Sequence, residues 1–218
     1  MPRTESAPPA PAASRSRKGA QTRARLVESA KAVFEETGFL EARISDIAEG
    51  AGLSHGSFYH YFESKEQVFR EVADEQENLL TAPSEDEDSP ASSELERIHR
   101  ANRRYLERYR ENGRIMGVIE EVSRYDTFVH EARLRRQKHF AERAERSIRR
   151  LQAEGAADPD VDPAIAAVAL GSMVARFAEV WLVEEWEDFD FDVAAEQLTR
   201  LWANAIGLRE PKRRGRRS

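Results

Sequence analysis

At 218 residues the chain is long enough to bury a sizeable core, as one large domain or two small ones. It has no cysteine, which excludes disulfides, thiolate catalysis and cysteine-ligated zinc, and its five histidines show no metal-binding spacing, so no metal or cofactor is expected. The net charge of −6 is uneven: residues 1–65 hold nine Lys/Arg against eight Asp/Glu, and residues 71–96 hold ten acids and no base, so a surface for a polyanion belongs at the N-terminal end.

Residues 1–17 are rich in Pro, Ala and Ser, lack the apolar stretch of a signal peptide, and are expected to form a disordered basic arm. Its cluster Arg15, Arg17 and Lys18 reads equally as a solubilising tail or as an arm lying along DNA. A helix follows from about Ala20 to Thr37, with Leu26, Val27, Ala30, Val33 and Phe34 on one face and Gly38 as a left-handed stop. Two short apolar-periodic pieces come next, Ile44–Gly50 and Ser54–Tyr61, and then a longer helix capped by Ser64 with Gln67 three residues on. Residues 81–93 turn to Pro, Ser and acids and read as a link. Further helices are expected at about 94–111, 114–125, 127–154, 163–186 and 192–207, stopped by Gly113, Gly155 and Gly207 and by acidic or Pro-containing segments. The apolar run from Ala164 to Val183 is broken by Arg176 and Glu179 and reads as a buried helix, so no membrane span and a cytoplasmic location are expected.

No Val/Ile/Thr run alternates with period two, and no repeat is visible. The fold class is therefore all-α, with about nine helices. Residues 18–65 would form a three-helix head, residues 66–208 a larger C-terminal bundle, and residues 209–218 a basic disordered tail carrying Lys212–Arg217; the roles of DNA binding for the first and of ligand binding and dimerisation for the second come with the resemblance described below.

The most informative stretch runs from Arg43 to Phe62. Two short helices crossing steeply need a small residue at the crossing, a tight turn, and apolar side chains at fixed offsets. Ala48 supplies the first, Gly52 the positive φ of the turn, and Ile47, Ala51, Leu53, Phe58 and Tyr61 the inward contacts, while Ser54 can cap the second helix. That helix would enter the major groove of a duplex by its N-terminal end, with Ser54, His55, Ser57, Tyr59 and His60 outward and Gly56 permitting close backbone approach. Lys65 is placed to meet a phosphate. The less specific readings are a core aromatic for Tyr59 and solvent-facing rings for His55 and His60.

The segment DIAEGAGLSHGSFYHYFESKEQVF, Asp46 to Phe69, resembles the TetR family of bacterial transcription regulators. The resemblance implies an all-helical homodimer whose head binds operator DNA and whose remaining helices hold a small-molecule effector, most members being repressors. By position, Ser54, His55 and Gly56 match the family's base-contacting region. Ser57, Tyr59, His60 and Lys65 match its phosphate contacts, and Arg43 and Ser45 open a helix that often touches DNA. The chain departs from the family at Arg43, where a threonine is usual, so the hydroxyl cap of that helix is missing.

Beyond the head the sequence is less specific. Asn102 interrupts an apolar stripe that includes Tyr105 and Tyr109, and Met116, Ile119, Phe128, Phe140, Met173 and Phe177 read as pocket lining or as ordinary core. The effector is expected to be apolar or amphipathic. The Arg/Lys-dense helix 127–154 offers countercharge to an anionic ligand such as an acyl thioester of coenzyme A, but i,i+4 pairs such as Glu142–Arg146 and Glu145–Arg149 favour a solvated face. Ala194, Leu198, Leu201, Trp202 and Ala205 form an apolar stripe, core by itself, and dimer interface by the resemblance. No acid, base or nucleophile stands at a spacing that suggests an enzyme. The alternatives are a DNA-binding regulator without a small-molecule effector, and a helical interaction module with a degenerate head.

Overall fold

The computed structural model describes residues 12–82 and 93–209. Within them are nine helices and no strand: α1 (Ala12–Glu41), α2 (Ile44–Gly50), α3 (His55–Phe58), α4 (Lys65–Thr81), α5 (Glu94–Glu111), α6 (Gly113–Val122), α7 (Thr127–Ala153), α8 (Pro163–Leu182) and α9 (Phe191–Ala205). The chain divides into two compact units, Met1–Val72 and Ala73–Ser218. The boundary falls inside α4 and not at its start, where the change of role from 65 to 66 was expected.

In the first unit α1 starts at Ala12, earlier than its apolar periodicity, so residues 12–17 continue the helix and do not form a disordered arm. Arg17 and Lys18 are exposed on it, while the side chain of Arg15 and all of residues 1–11 lie outside the described part. Leu26, Val27, Ala30 and Phe34 are buried, as the 3.6-residue period requires. Gly38 takes φ 75° and breaks the helix, turning the chain so that Phe39 meets Phe34. Phe69 of α4 closes this corner, 4.9 Å edge-on from each of the two rings. Ser64 caps α4 by accepting from the Gln67 N–H, and the Gln67 carboxamide accepts in return from the Glu63 N–H.

In the second unit α5 packs on α9 and α8, and α7 packs along α8. Each of α5, α7, α8 and α9 begins at a side-chain cap: Ser93, Asp126, Asp162 and Asp190 accept from the third backbone N–H beyond them. Arg150 of α7 pairs with Glu94 at the start of α5, and Tyr105 of α5 meets Phe140 of α7, so the two helices run antiparallel. By length and composition Pro163–Leu182 is apolar enough to cross a bilayer, but here it is one helix of this bundle.

The expected dimer stripe on α9 is mostly internal. Ala194, Leu198 and Trp202 are buried in their own subunit because that face rests on α5, whereas Leu201 is 54% exposed and Ala205 is also outward. The outward apolar surface lies one helical position away, at Val193, Leu201 and Ala205, and on α8 at Ile165 and Val168, which are 71% and 58% exposed.

Candidate nucleic-acid interface and the cavity of the second unit

The turn between α2 and α3 follows from local chemistry. α2 ends at Gly50 with Ala51 as its C-cap, and Gly52 takes φ 67°. The Leu53 N–H donates to Ala48 O and the Gly52 N–H to Glu49 O, both at 2.8 Å, the nested pair that closes a helix through a left-handed residue. Helix α1 holds this corner from behind: Ser29 Oγ donates to Ile47 O at 2.8 Å, and the Arg25 guanidinium donates to Ala51 O. A Cβ on Gly50 would collide with Ser29 Oγ, so Gly50 is the close-approach residue between α1 and α2, and sequence reasoning, which named only Ala48 and Gly52, missed it.

Helix α3 is a single turn, shorter than the expected Ser54–Tyr61. Ser54 caps it, accepting from the Ser57 N–H at 3.3 Å, and the two serine hydroxyls lie 2.8 Å apart. Backbone bonds from Tyr61 and Phe62 to Phe58 O carry the coil onward. Phe58 and Phe62 are buried and their rings lie 5.6 Å apart. Leu53 and Tyr61, expected to point inward, are only half-buried.

With Phe58 pinned inside, its neighbours must face out. Ser54, His55, Gly56 and His60 are exposed, Ser57 is half-buried, and Tyr59 is 50% exposed, which removes the core reading of that ring. His55 and Tyr59 meet edge to face at 5.3 Å, so the two rings orient each other on the surface. Arg43 and Ser45 are exposed at the start of α2. No side chain caps that helix, as the arginine at this position requires, and Ser45 Oγ instead donates to Asp46 Oδ1 at 2.9 Å.

Lys65 departs from expectation. Its ammonium donates to Phe39 O at 2.7 Å and to Leu40 O and Ala42 O at 3.0 Å, and sits 4.7 Å from the Phe39 ring centre. An ammonium has three N–H donors, and all three serve the carbonyls left open after Gly38. Lys65 therefore ties α4 to the end of α1 and has no donor left for a phosphate.

The second unit holds a cavity of about 550 Å³ between α5, α7, α8 and α9 and the end of α4. Of the nine expected lining residues, Asn102, Tyr105 and Phe140 line it. Tyr109, Met116 and Ile119 are closed core instead, Phe128 is exposed, and Met173 and Phe177 stand outside the lining. Asn102 Nδ2 donates at 3.3 Å to Thr199 Oγ1, which itself donates to Ala195 O, so the buried amide has a protein partner. Sequence reasoning missed Gly171 and the α5 arginines as lining, assigned Trp202 to the dimer stripe, and raised the cations of α7 as countercharge for an anionic ligand only as the lesser reading beside a solvated face.

Beside the cavity lies a buried polar cluster. Arg136 of α7 stands 3.0 Å from Glu77 of α4, both almost fully buried, and the phenol oxygens of Tyr105 and Tyr109 are buried with no hydrogen-bond partner in the structure. Burial pushes the carboxyl of Glu77 up despite the neighbouring Arg136 and Arg133, and pushes up both phenols, which remain protonated donors.

A family model described as bacterial regulatory proteins of the tetR family matches residues 26–72, the helices just described. Over residues 26–72, then, the chain is similar to the TetR family. Among relatives, the chain is 44% identical over 55 residues to the HTH-type transcriptional regulator YdgC of Bacillus subtilis, covering 25% of this chain and 28% of YdgC. It is 46% identical over 50 residues to the HTH-type transcriptional repressor KstR2 of Mycobacterium tuberculosis, covering 23% and 25%. The matched stretch thus spans about a quarter of the length of these curated relatives. The whole fold is similar to the transcriptional regulator FadR of Bacillus subtilis, solved with stearoyl-CoA: TM-score 0.68, 16% identity, 84% of this chain and 98% of that one. At that identity the likeness is one of fold alone.

Proposed function

We propose that this chain is a TetR-family, sequence-specific transcription regulator, a repressor that acts as a cytoplasmic homodimer on a pseudo-palindromic operator and performs no covalent chemistry. The observation that carries the reading is the outward row Ser54, His55, Gly56, Ser57, Tyr59 and His60, fixed from behind by buried Phe58 and Phe62. These side chains and the open backbone at Gly56 suit a major groove, with His55 and the serines at base edges and Tyr59 and His60 at phosphates. Arg43 and Ser45 would add contacts from the preceding helix, and Arg17 and Lys18 a basic edge on α1. One head reads only a short half-site, so specificity calls for a two-fold pair. The exposed apolar residues of α8 and α9 suit such a pairing. Ile165→Glu combined with Leu201→Arg is expected to give monomers in sedimentation, and a persisting dimer would remove this interface.

The cavity favours an effector-responsive regulator over one without a ligand, since a volume of about 550 Å³ falls in the range of small-molecule sites. Release requires that the ligand bind the DNA-competent and released conformations with different affinity. Selection of duplexes from a random pool tests the DNA reading: enrichment of inverted repeats, lost with His55→Ala and Tyr59→Phe together, is the expected result. A pool left unenriched at low salt would overturn it.

A further inference from the structure

Six cationic side chains and one carboxylate line the cavity, and the cations are not equivalent. Arg136 is met by Glu77, Arg97 by Glu94, and Lys138 by Glu142 at 3.8 Å. Arg108 donates to Ala82 O at 2.7 Å, at the end of α4. Arg143 has a partner as well, whereas Arg104 has none among the described residues. Arg97, Ala101, Arg104 and Arg108 follow one another at i, i+4, i+7 and i+11, a single stripe of α5 facing the cavity. Because α5 and α7 run antiparallel, Arg104, Tyr105 and Arg108 lie level with Arg136, Lys138 and Ala141, while Ala144, Ala167, Val168 and Gly171 lie toward the middle and the other end, where Glu94 and Arg97 pair with each other. The lining stretch of α5 from Glu94 to Arg108 is roughly 20 Å long at the helical rise.

We infer that this cavity takes an anionic amphipath: an unbranched hydrocarbon chain lies along the small and apolar side chains, and its acidic head meets Arg104 and Arg108. The inference rests on the effector reading above and names the chemistry of that effector. Two deep donors strengthen the polar end. The Tyr105 hydroxyl is more than nine-tenths buried and unpartnered, and Arg136, buried to the same degree, keeps an Nη1 without a hydrogen bond of good geometry although Glu77 lies close by. An acidic head would pair with the Arg104 guanidinium at the cavity wall, which a neutral ligand leaves without a partner. The Arg108 donors now bound to carbonyls at the end of α4 are also within this end of the cavity, so an acidic head competes with α4 for them.

A negative head can come from the carboxylate of a free fatty acid or from the phosphates of its coenzyme A thioester, whose own acyl carbonyl is neutral. Calorimetric titration of the full chain without DNA, using dodecanoate, dodecanol and dodecanoyl-CoA, separates these. Dodecanoate should bind at least about tenfold more tightly than dodecanol, and Arg104→Gln should erase most of that difference while leaving dodecanol affinity unchanged. Tighter binding of dodecanoyl-CoA than of dodecanoate identifies the thioester as the source, and the reverse order the free acid. Equal or better binding of dodecanol, no binding of any of the three, or an unchanged acid-to-alcohol ratio in Arg104→Gln overturns the inference. Release of operator DNA is measured separately. An acid that binds without releasing DNA counts against the effector reading alone, and release by dodecanol only counts against the anionic head alone.

Discussion

Among the described residues, every buried polar or charged side chain lies in the second unit: Gln76, Glu77, Asn102, Asn112, Ser123, Arg136 and Thr199. The head buries Leu26, Phe34, Ile47, Phe58, Phe62 and Phe69 around a dry aromatic corner, with its polar groups kept for caps and turns. An interior of that kind has one good packing, and what it provides is a surface held in place. The second unit is hollow and carries an ion pair and two unpartnered phenols beside the hollow, which is costly for stability and useful for recognition. The difference separates a part that presents chemistry on its outside from a part that keeps it inside.

Deletion experiments should expose the contrast most strongly. Phe58→Ala empties a fully buried site in the head and is expected to cost about 3–5 kcal/mol in denaturant unfolding, with no second change able to restore it except refilling the volume. Glu77→Ala should cost a similar amount, about 3–5 kcal/mol, because it strands the buried Arg136 charge. Here a second change does help: Glu77→Leu with Arg136→Met is expected to be close to neutral or stabilising, since both desolvation costs disappear together. A double variant as unstable as the single one would mean that the pair holds the bundle together.

The raised carboxyl of Glu77 adds a pH signature to the same pair. Its folded form keeps a proton more readily than the ordinary glutamate value of 4.5, so folded protein binds more protons than unfolded protein above that value. Its contribution to stability therefore falls as pH rises from 4.5 through the folded value and is constant beyond it. Glu77→Gln should flatten that limb of the stability profile. An unchanged slope would assign the limb to Glu120, which burial also pushes up.

How much of this was legible in the sequence follows from how local each feature is. The α5 bounds agree with the sequence because Ser93 caps its start and the chain turns at Asn112, one residue before the glycine expected to stop it, which instead opens α6. The α2–α3 corner depends on residues within a few positions of one another, from Ala48 to Phe62. Lys65 was misread because its carbonyl partners sit 23–26 residues upstream, exposed by a break at Gly38 whose consequence no local pattern states. The α9 stripe was misread because 194/198/202 and 193/201/205 are adjacent on a helix, and only the position of α5 decides which is covered. The cavity draws on four helices and the end of α4, so its arginines looked like ordinary surface charge until the helices were assembled.

The corner that links the two sides of the head offers a smaller effect. Gly52→Ala forces a side chain into φ 67° and sets its Cβ 2.9 Å from the Arg25 Nη2 that serves Ala51 O. We expect a loss of about 1–2 kcal/mol in stability, together with weaker DNA binding because Ser54 and His55 follow directly. Full stability with normal binding would show that Arg25 moves aside freely and that the corner is not rigid.

Tyr59→Phe gives the smallest effect and the sharpest reading of the contrast. The ring is half-exposed, held edge-on by His55 and by Phe58, and its hydroxyl is not used in the fold. Removing the oxygen keeps every ring contact, so stability in denaturant should not change. If the hydroxyl meets a phosphate, affinity for a selected duplex should drop by about 1 kcal/mol, the net worth of one hydrogen bond, and by the same amount on unrelated sequences, since a phosphate contact carries no base information. A loss confined to the selected duplex would move Tyr59 from the backbone to a base edge. Loss of stability without loss of affinity would make it part of the scaffold after all, and would erase the division between an inside that packs and an outside that reads.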